Sequence, residues 1–449
     1  MVSITSFLRA RKRLITASLI AICAFLLTPS WKEVGLLYFP FWFATFMLLF
    51  ASQVFWIGQV LDVGARFIPG QPRRFWLVIT AAVLYVFFFF AYRFAPLKML
   101  FTGHIIQAAD KSFYRTLIDG IFSIWLVGSF IGFLLVVFFF SADRLMRSAI
   151  GAGRQMRTWW GHPAPDSDAA ALPSIGRRRL LREMAMAASA APFGVAAYGL
   201  LYGRIHVEIT RRRIALIRLP KAFEGFRIAQ LSDLHISSFM PVREIRRCVA
   251  VTNDLKPDLV ALTGDYLSWD PGAQAEVVGA LAGLRAPYGV YGCLGNHETI
   301  TRTEASITRA FSEQGIRILR QKRALIRLNE ETLNLIGVDD SLEDLRVIQP
   351  LVTPGTVNIL LCHWPPSFEA AVKLGIDLTL AGHTHGGQLS LEFLRRGLCL
   401  SRLETSYVSG WYEKSGRQLY VNRGIGTTMI PIRLGAKPEI TVFELVRRV

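Results

Sequence analysis

Cysteine is scarce in this chain. There are five in 449 residues, Cys23, Cys248, Cys293, Cys362 and Cys399, an odd number with no CxxC pair. That spacing excludes a disulfide framework and a cysteine-built zinc site, and it leaves the compartment open. Acidic residues are also few, 33 against 51 Lys and Arg, for a net charge of +18. In a soluble protein such an excess would point to nucleic acid. Here the arginines cluster beside long apolar runs, as in Arg9–Arg13 and Gly176–Glu183. That placement fits anionic headgroups and membrane topology, so nucleic acid is not an expected partner. Histidine is scarce too, with 8 residues, and two of them flank one threonine in LAGHTHGGQLS (Leu380–Ser390).

The apolar residues are unevenly spread. Leu14–Trp31, Val34–Leu61, Phe75–Tyr92 and Gly120–Phe140 are uncharged runs, long enough to cross ~30 Å of hydrocarbon at ~1.5 Å per residue. They predict a four-span transmembrane domain over residues 1–140. Residues 141–182, mixing Gly, Pro, Ser and Asp without a period, read as a basic cytoplasmic linker. Residues 183–203 form a weakly hydrophobic fifth span or a surface-lying helix, and the arginines before it resemble a twin-arginine export signal. Arginine counts put the N-terminus and linker in the cytoplasm. A true fifth crossing would place everything after Gly203 outside a bacterial inner membrane.

From about Arg204 the pattern changes to short apolar strands alternating with helical stretches. Strands are expected at FRIAQLSDLHI, PDLVALTGDYL, GVYGCLGNHE, TLNLIGVDD, TVNILLCHWP, DLTLAGHTHGG, QLYVNRGIG and EITVFEL. Helices are expected near VREIRRCVAVTNDL and AQAEVVGALAGL. The fold class is therefore an α-helical transmembrane domain plus an α/β catalytic domain over 204–449, a layered mixed β-sheet sandwich flanked by helices.

Several strands end the same way, with apolar residues and then a polar tip. The tips carry Asp233 and His235; Asp265; Asn296 and His297; His363; and His383 and His385. Ligands of open α/β sheets bind where carboxyl ends of strands meet. Imidazole, carboxylate and amide oxygen without thiolate suit Mn, Fe or Zn. Two such ions clamp a phosphate and activate water for in-line attack. In HTH, residues two apart on an extended backbone point the same way and could reach both ions. The flanking Gly382, Gly386 and Gly387 admit close backbone approach.

DLH, GD, GNHE, CH and GHTHGG, in this order, resemble the five signature blocks of the calcineurin-like metallophosphoesterases, over roughly Phe226–Leu445. The resemblance implies that Asp233, His235 and His385 hold one divalent ion. Asn296, His363 and His383 would hold a second, and Asp265 would bridge them. His297 would face the substrate as a catalytic imidazole, with Glu298 outside the site. The tail from Tyr420 resembles a membrane-attached bacterial branch of this family, and Arg423 is a candidate for binding phosphate bidentately. Leu391–Leu403 mixes aliphatics with arginines as a lipid-facing lip or an ordinary hairpin. His104, His162 and His206 are expected to be structural or exposed.

The resulting expectation is a membrane-anchored phosphoesterase acting on a phosphate ester or pyrophosphate, including lipid-linked ones. The branch it resembles is linked to UDP-2,3-diacylglucosamine pyrophosphate cleavage. That substrate lies on the cytoplasmic face whereas the charge count places the domain outside, so the substrate stays open. So does oligomeric state. A transporter or receptor with a regulatory metal domain is the alternative, although no span carries Asp, Glu, Lys or Arg in mid-membrane. A binding-only metal domain would be expected to lack a ligand.

Overall fold

The computed structural model describes residues 113–160, 174–339, 345–390 and 399–448, with isolated positions between 48 and 59. Apart from those positions, the runs at Leu14–Trp31, Val34–Leu61 and Phe75–Tyr92 lie outside the described residues, as do His104, His162 and the first part of the Leu391–Leu403 segment. The chain divides into two compact units, residues 1–106 with 124–196, and 107–123 with 197–449.

The first unit contains most of two helices, α1 (Phe113–Trp159) and α2 (Ser174–Tyr198). Asp119–Gly153 and Glu183–Gly203 are each long and apolar enough to cross a membrane. Close helix approach depends on small residues, because a Cβ on Gly132 would lie 2.6 Å from the carbonyl of Ser189. The Ser129 carbonyl accepts from Ser52 Oγ at 3.1 Å and Trp56 Nε1 at 2.7 Å. One expectation is corrected here. The segment from Ser141 to Trp159 is not linker but helix, continuous with the apolar stretch before it. It contains no proline, and Asp143 and Arg147, one turn apart, pair at 2.6 Å.

The second unit is a sandwich of two six-stranded mixed sheets. The first runs β1 (Glu208–Leu216), β12 (Glu439–Arg447), β2 (Arg227–Leu231), β3 (Leu259–Thr263), β4 (Val290–Cys293), β5 (Ile316–Ile318). The second runs β10 (Gly410–Lys414), β11 (Arg417–Val421), β9 (Leu378–Ala381), β8 (Asn358–Leu361), β7 (Glu331–Gly337), β6 (Lys322–Leu328). Strands β2 to β5 are parallel, as are β11, β9, β8 and β7, so their carboxyl ends form a common rim.

The apolar runs of the central strands bury both faces, as parallel strands require. Leu259, Ala261, Ile359, Leu361, Leu378 and Leu380 meet in the core between the sheets. Val260 and Leu262 face outward to a second core with helices α3 (Val242–Asp254), α4 (Gln274–Leu281) and α6 (Glu304–Glu313). Leu360 and Ala381 face a third, closed by Phe368 and Ala371. The layers are therefore helix, sheet, sheet, helix. All strands expected from the sequence form. Strands β1, β5, β6 and β10 were not anticipated. The first and third of these are charged edge strands, with exposed Arg211, Arg212 and Arg213 in β1 and Lys322, Arg323 and Arg327 in β6.

Candidate metal centre

Each polar tip follows a parallel strand, so sheet geometry brings distant segments to one rim. Asp233 and His235 follow β2, Asp265 follows β3, and Asn296 and His297 open the short helix α5 (Asn296–Ile300) after β4. His363 follows β8, while His383 and His385 follow β9. All eight converge, as the sequence led one to expect.

Their atoms fall into two joined groups. In the first, His385 Nε2 is 3.0 Å from His235 Nε2 and 3.3 Å from Asp233 Oδ1. In the second, His383 Nδ1 is 2.9 Å from Asn296 Oδ1 and 3.2 Å from His363 Nε2. Asp265 Oδ2 joins them, 3.4 Å from His235 Nε2 and 3.2 Å from His363 Nε2. Such spacing requires either N–H donors between the rings or a shared cation. Asp233, His235, Asp265, His363 and His385 are buried, while Asn296 and His383 are partly open.

Ring tautomers are fixed from behind. His235 Nδ1 donates to the Leu267 carbonyl at 3.1 Å, and His363 Nδ1 to the Thr263 carbonyl at 2.7 Å. His235, neutral, therefore turns an Nε2 lone pair inward, the usual preparation of a metal-binding imidazole. His297 Nδ1 is held by the Ser268 carbonyl, and His297 shares a potential ligand cluster with His235 and Asp265. Glu404 approaches His383 Nε2 at 3.7 Å, turning Nδ1 to the cluster.

The backbone here is strained in a consistent way. Asp233, His235, Asp265, His383 and His385 all adopt left-handed conformations, with φ from 47° to 71°. Each costs on the order of 1–3 kcal/mol and persists only where surrounding structure enforces it. This corrects the extended HTH expectation. His383 and His385 reach both groups because the chain turns between them, with His385 opening a 3₁₀ turn. Two glycines are dictated by contact: a Cβ on Gly382 would lie 2.4 Å from Asp233 Oδ2, and one on Gly295 2.2 Å from Asp265 Oδ1.

Electrostatics prepare the donors unequally. Burial, reinforced by neighbouring imidazoles, pulls His235 down to about 3. Burial also lowers His385 well below its ordinary value. Burial opposes charge on His363 too, but Asp265 and Asp233 outweigh it and raise His363 to about 10. Two imidazoles are thus neutral donors, while the third holds a proton against Asp265.

Three side chains missed by sequence reasoning shape the site. Glu298, expected to lie outside it, is fully buried and accepts the backbone N–H groups of Asp265, Tyr266, Leu267 and Gly295. It therefore holds the turn carrying Asp265. Burial pushes its carboxyl up to about 8, with Asp265 adding to that and the N–H donors opposing it. Trp269 and Trp364 lie edge-on to His297 and His383 at centroid distances of 4.7 and 4.4 Å, walling the opening. Arg423 is a correction in the other direction. Its Nε donates to Glu439 at 2.8 Å and a terminal nitrogen to Glu208 at 2.9 Å. The fork expected for phosphate is occupied, and the residue fastens β1 to β12. Asn422 likewise donates to Thr441 and accepts from the Gly424 N–H. His206 is exposed and stacks on Tyr202.

The donor set, nitrogen and oxygen without thiolate, fits divalent cations. Asp233, His235 and His385, and separately Asp265, His363 and His383, present ligand atoms within 4.8 Å of one another. Residues 226–387 match the calcineurin-like phosphoesterase family. Along 61% of its length the chain is 32% identical to the metallophosphoesterase YkuE of Bacillus subtilis, of which 99% is covered. It is also 32% identical to the phosphodiesterase YaeI of Escherichia coli, over 61% of this chain and all of that one. A transmembrane protein with metallophosphoesterase domain from Danio rerio is 27% identical over 55% of this chain and 59% of its own. The chain belongs to the calcineurin-like metallophosphoesterases, metal-dependent hydrolases of phosphate esters.

Proposed function

We propose that this protein is a membrane-anchored phosphoesterase with two divalent cations, Mn, Fe or Zn, that cleaves diester or pyrophosphate bonds of lipid-linked substrates. On this reading Asp233, His235 and His385 would hold one cation, Asn296, His363 and His383 would hold the other, and Asp265 would serve both. When bound, the pair supplies Lewis acidity toward phosphate oxygens and an activated water. The carrying observation is the position of Asp265 Oδ2, within 3.4 Å of both the His235 and His363 nitrogens. His297, fixed by Ser268, presents its Nε2 to deliver a proton to the leaving oxygen. Glu298 keeps the Asp265 turn in its left-handed conformation.

Membrane attachment is supported by the two apolar helices, by exposed Phe138 and Phe140 on α1, and by the transmembrane description of the Danio rerio relative. The domains we propose are a transmembrane region over 1–140, a fifth span over 183–203 and a catalytic domain over 204–449, with the multi-pass protein in a bacterial inner membrane and its catalytic domain extracytoplasmic. A UDP-2,3-diacylglucosamine-type pyrophosphate remains a candidate substrate on family resemblance. The experiment is hydrolysis of bis-p-nitrophenyl phosphate by the full chain in detergent with Mn. Asp265→Asn is expected to lower turnover by ~10³-fold or more, the scale of metal-activated water chemistry. Cation binding without hydrolysis by the wild type would favour a regulatory metal domain instead.

A further inference from the structure

Met429 stands at the tip of the loop between β11 and β12, 68% exposed and in a left-handed conformation, φ 56°. Asparagine and glycine adopt that conformation more readily than a long apolar side chain does. Neither backbone preference nor core packing accounts for methionine there, and an exposed residue under strain implies a role beyond folding. The tip is gripped from the segment that carries His385. Gln388, three residues further on, donates through Nε2 to the carbonyls of Thr428 at 3.1 Å and Ile430 at 2.6 Å. Its Oε1 accepts the Thr428 N–H at 3.0 Å. One carboxamide thus holds the chain on both sides of Met429.

The far end of the same loop rests on the end of an apolar segment. The Gly199 carbonyl accepts the Arg433 N–H at 3.3 Å, and a Cβ on Gly203 would lie 2.2 Å from the Arg433 carbonyl oxygen. Gly199–Gly203 is the π turn that closes the segment Glu183–Gly203. A Cβ on Gly199 would also lie 2.6 Å from Ile432 Cγ2. Ile432 is three residues from Met429, or about 10 Å of chain at most. The turn is itself open and apolar. Leu201 is 67% exposed, Tyr202 44%, and Tyr202 stacks on Tyr198 with ring centroids 5.1 Å apart. Tyrosine, with an apolar body and a polar tip, concentrates at the headgroup level of bilayers. Neither 197–207 nor 424–438 contains Asp or Glu, whereas Arg204 and Lys437 add positive charge, as an anionic leaflet surface favours.

We propose that the 428–430 tip, with Met429 at its apex, dips into the leaflet in which Glu183–Gly203 ends. The metal centre then takes its phosphate substrates from that leaflet. The proposal rests on the membrane-anchored reading above.

The test uses the full chain with Mn, reconstituted in vesicles of phosphatidylcholine and phosphatidylglycerol. A nitroxide label is placed at Met429→Cys. The reference is a label at Glu330→Cys, an exposed site just before β7 and so opposite the rim, and labelled wild type gives the background from native cysteines. Relaxation by oxygen, which concentrates in hydrocarbon, is compared with relaxation by a water-soluble nickel chelate. Position 429 is expected to favour oxygen and position 330 the chelate. Preference for the chelate at both would overturn insertion. So would a position 429 closed to both reagents, which marks a protein contact. The second readout is hydrolysis of hexadecyl p-nitrophenyl phosphate in the vesicles against bis-p-nitrophenyl phosphate in water. Met429→Asp replaces inserted apolar surface by charge, so it is expected to slow the hexadecyl diester roughly tenfold and leave the soluble one within about twofold. Met429→Asn, which suits the left-handed backbone, should slow the hexadecyl diester in the same direction without lowering the thermal midpoint. Equal losses on both substrates, or no loss on the hexadecyl diester in either variant, would overturn the proposal. A wild type that cleaves neither diester would overturn the phosphoesterase reading instead, and the oxygen measurement would still decide insertion.

Discussion

The two halves of the centre differ. Asp233, His235 and His385 are enclosed, whereas His383 keeps 16% of its side chain open and Asn296 is partly exposed. The enclosed half is braced by the Leu267 carbonyl, which accepts from His235 Nδ1, and the open half by Glu404, itself half exposed, and a tryptophan edge. On the proposed reading, a cation in the enclosed half would exchange against several buried donors, and one in the open half would lie next to solvent.

The sharpest break of this comparison is one truncation in each half. His235→Ala is expected to lower affinity for the more tightly held cation by more than ~100-fold, since a direct ligand exceeds the range seen for groups behind ligands. His383→Ala should remove the more weakly held cation and leave the tighter one within about tenfold. Calorimetry on the full chain reads both, and equal losses in both steps from either variant would show that the halves are not distinct.

A smaller effect concerns pH. In the cation-free protein Asp265 and Asp233, overcoming desolvation, raise His363 to about 10. A folded value above the ordinary histidine value contributes stability that is complete below about pH 6.5 and is lost as pH rises through about 10. The thermal midpoint of cation-free protein should therefore fall between pH 7 and 10, by roughly 4 °C or more for a domain of this size. If His363 ligates a cation as proposed, cation-loaded protein should show a shallower fall. Parallel slopes would remove His363 from the open half.

The convergence of these residues was legible because they are concentrated in short blocks at strand ends, where side-chain type is itself the signal. Asp233, Asp265 and His363 could be read for that reason. Glu298 could not, because it acts on the backbone of Asp265, 33 residues away in sequence. The only cue for Glu298 was its place in GNHE. Arg423 misled because its partners Glu208 and Glu439 lie on strands that meet only after folding. Inner strands such as β3 and β8 announce themselves by unbroken apolar runs, whereas β1 and β6 carry arginines and lysine on exposed faces. The HTH turn was misread because alternation in sequence suggests a strand, and only the positive φ values show the chain folding back.

The central claim is that one carboxylate, Asp265, lies between two cations. Electron paramagnetic resonance of the full chain titrated with Mn tests it most directly. The account predicts a spin-coupled Mn pair in the wild type that gives way to isolated Mn signals in Asp265→Asn. A wild-type protein saturating with uncoupled Mn would contradict it.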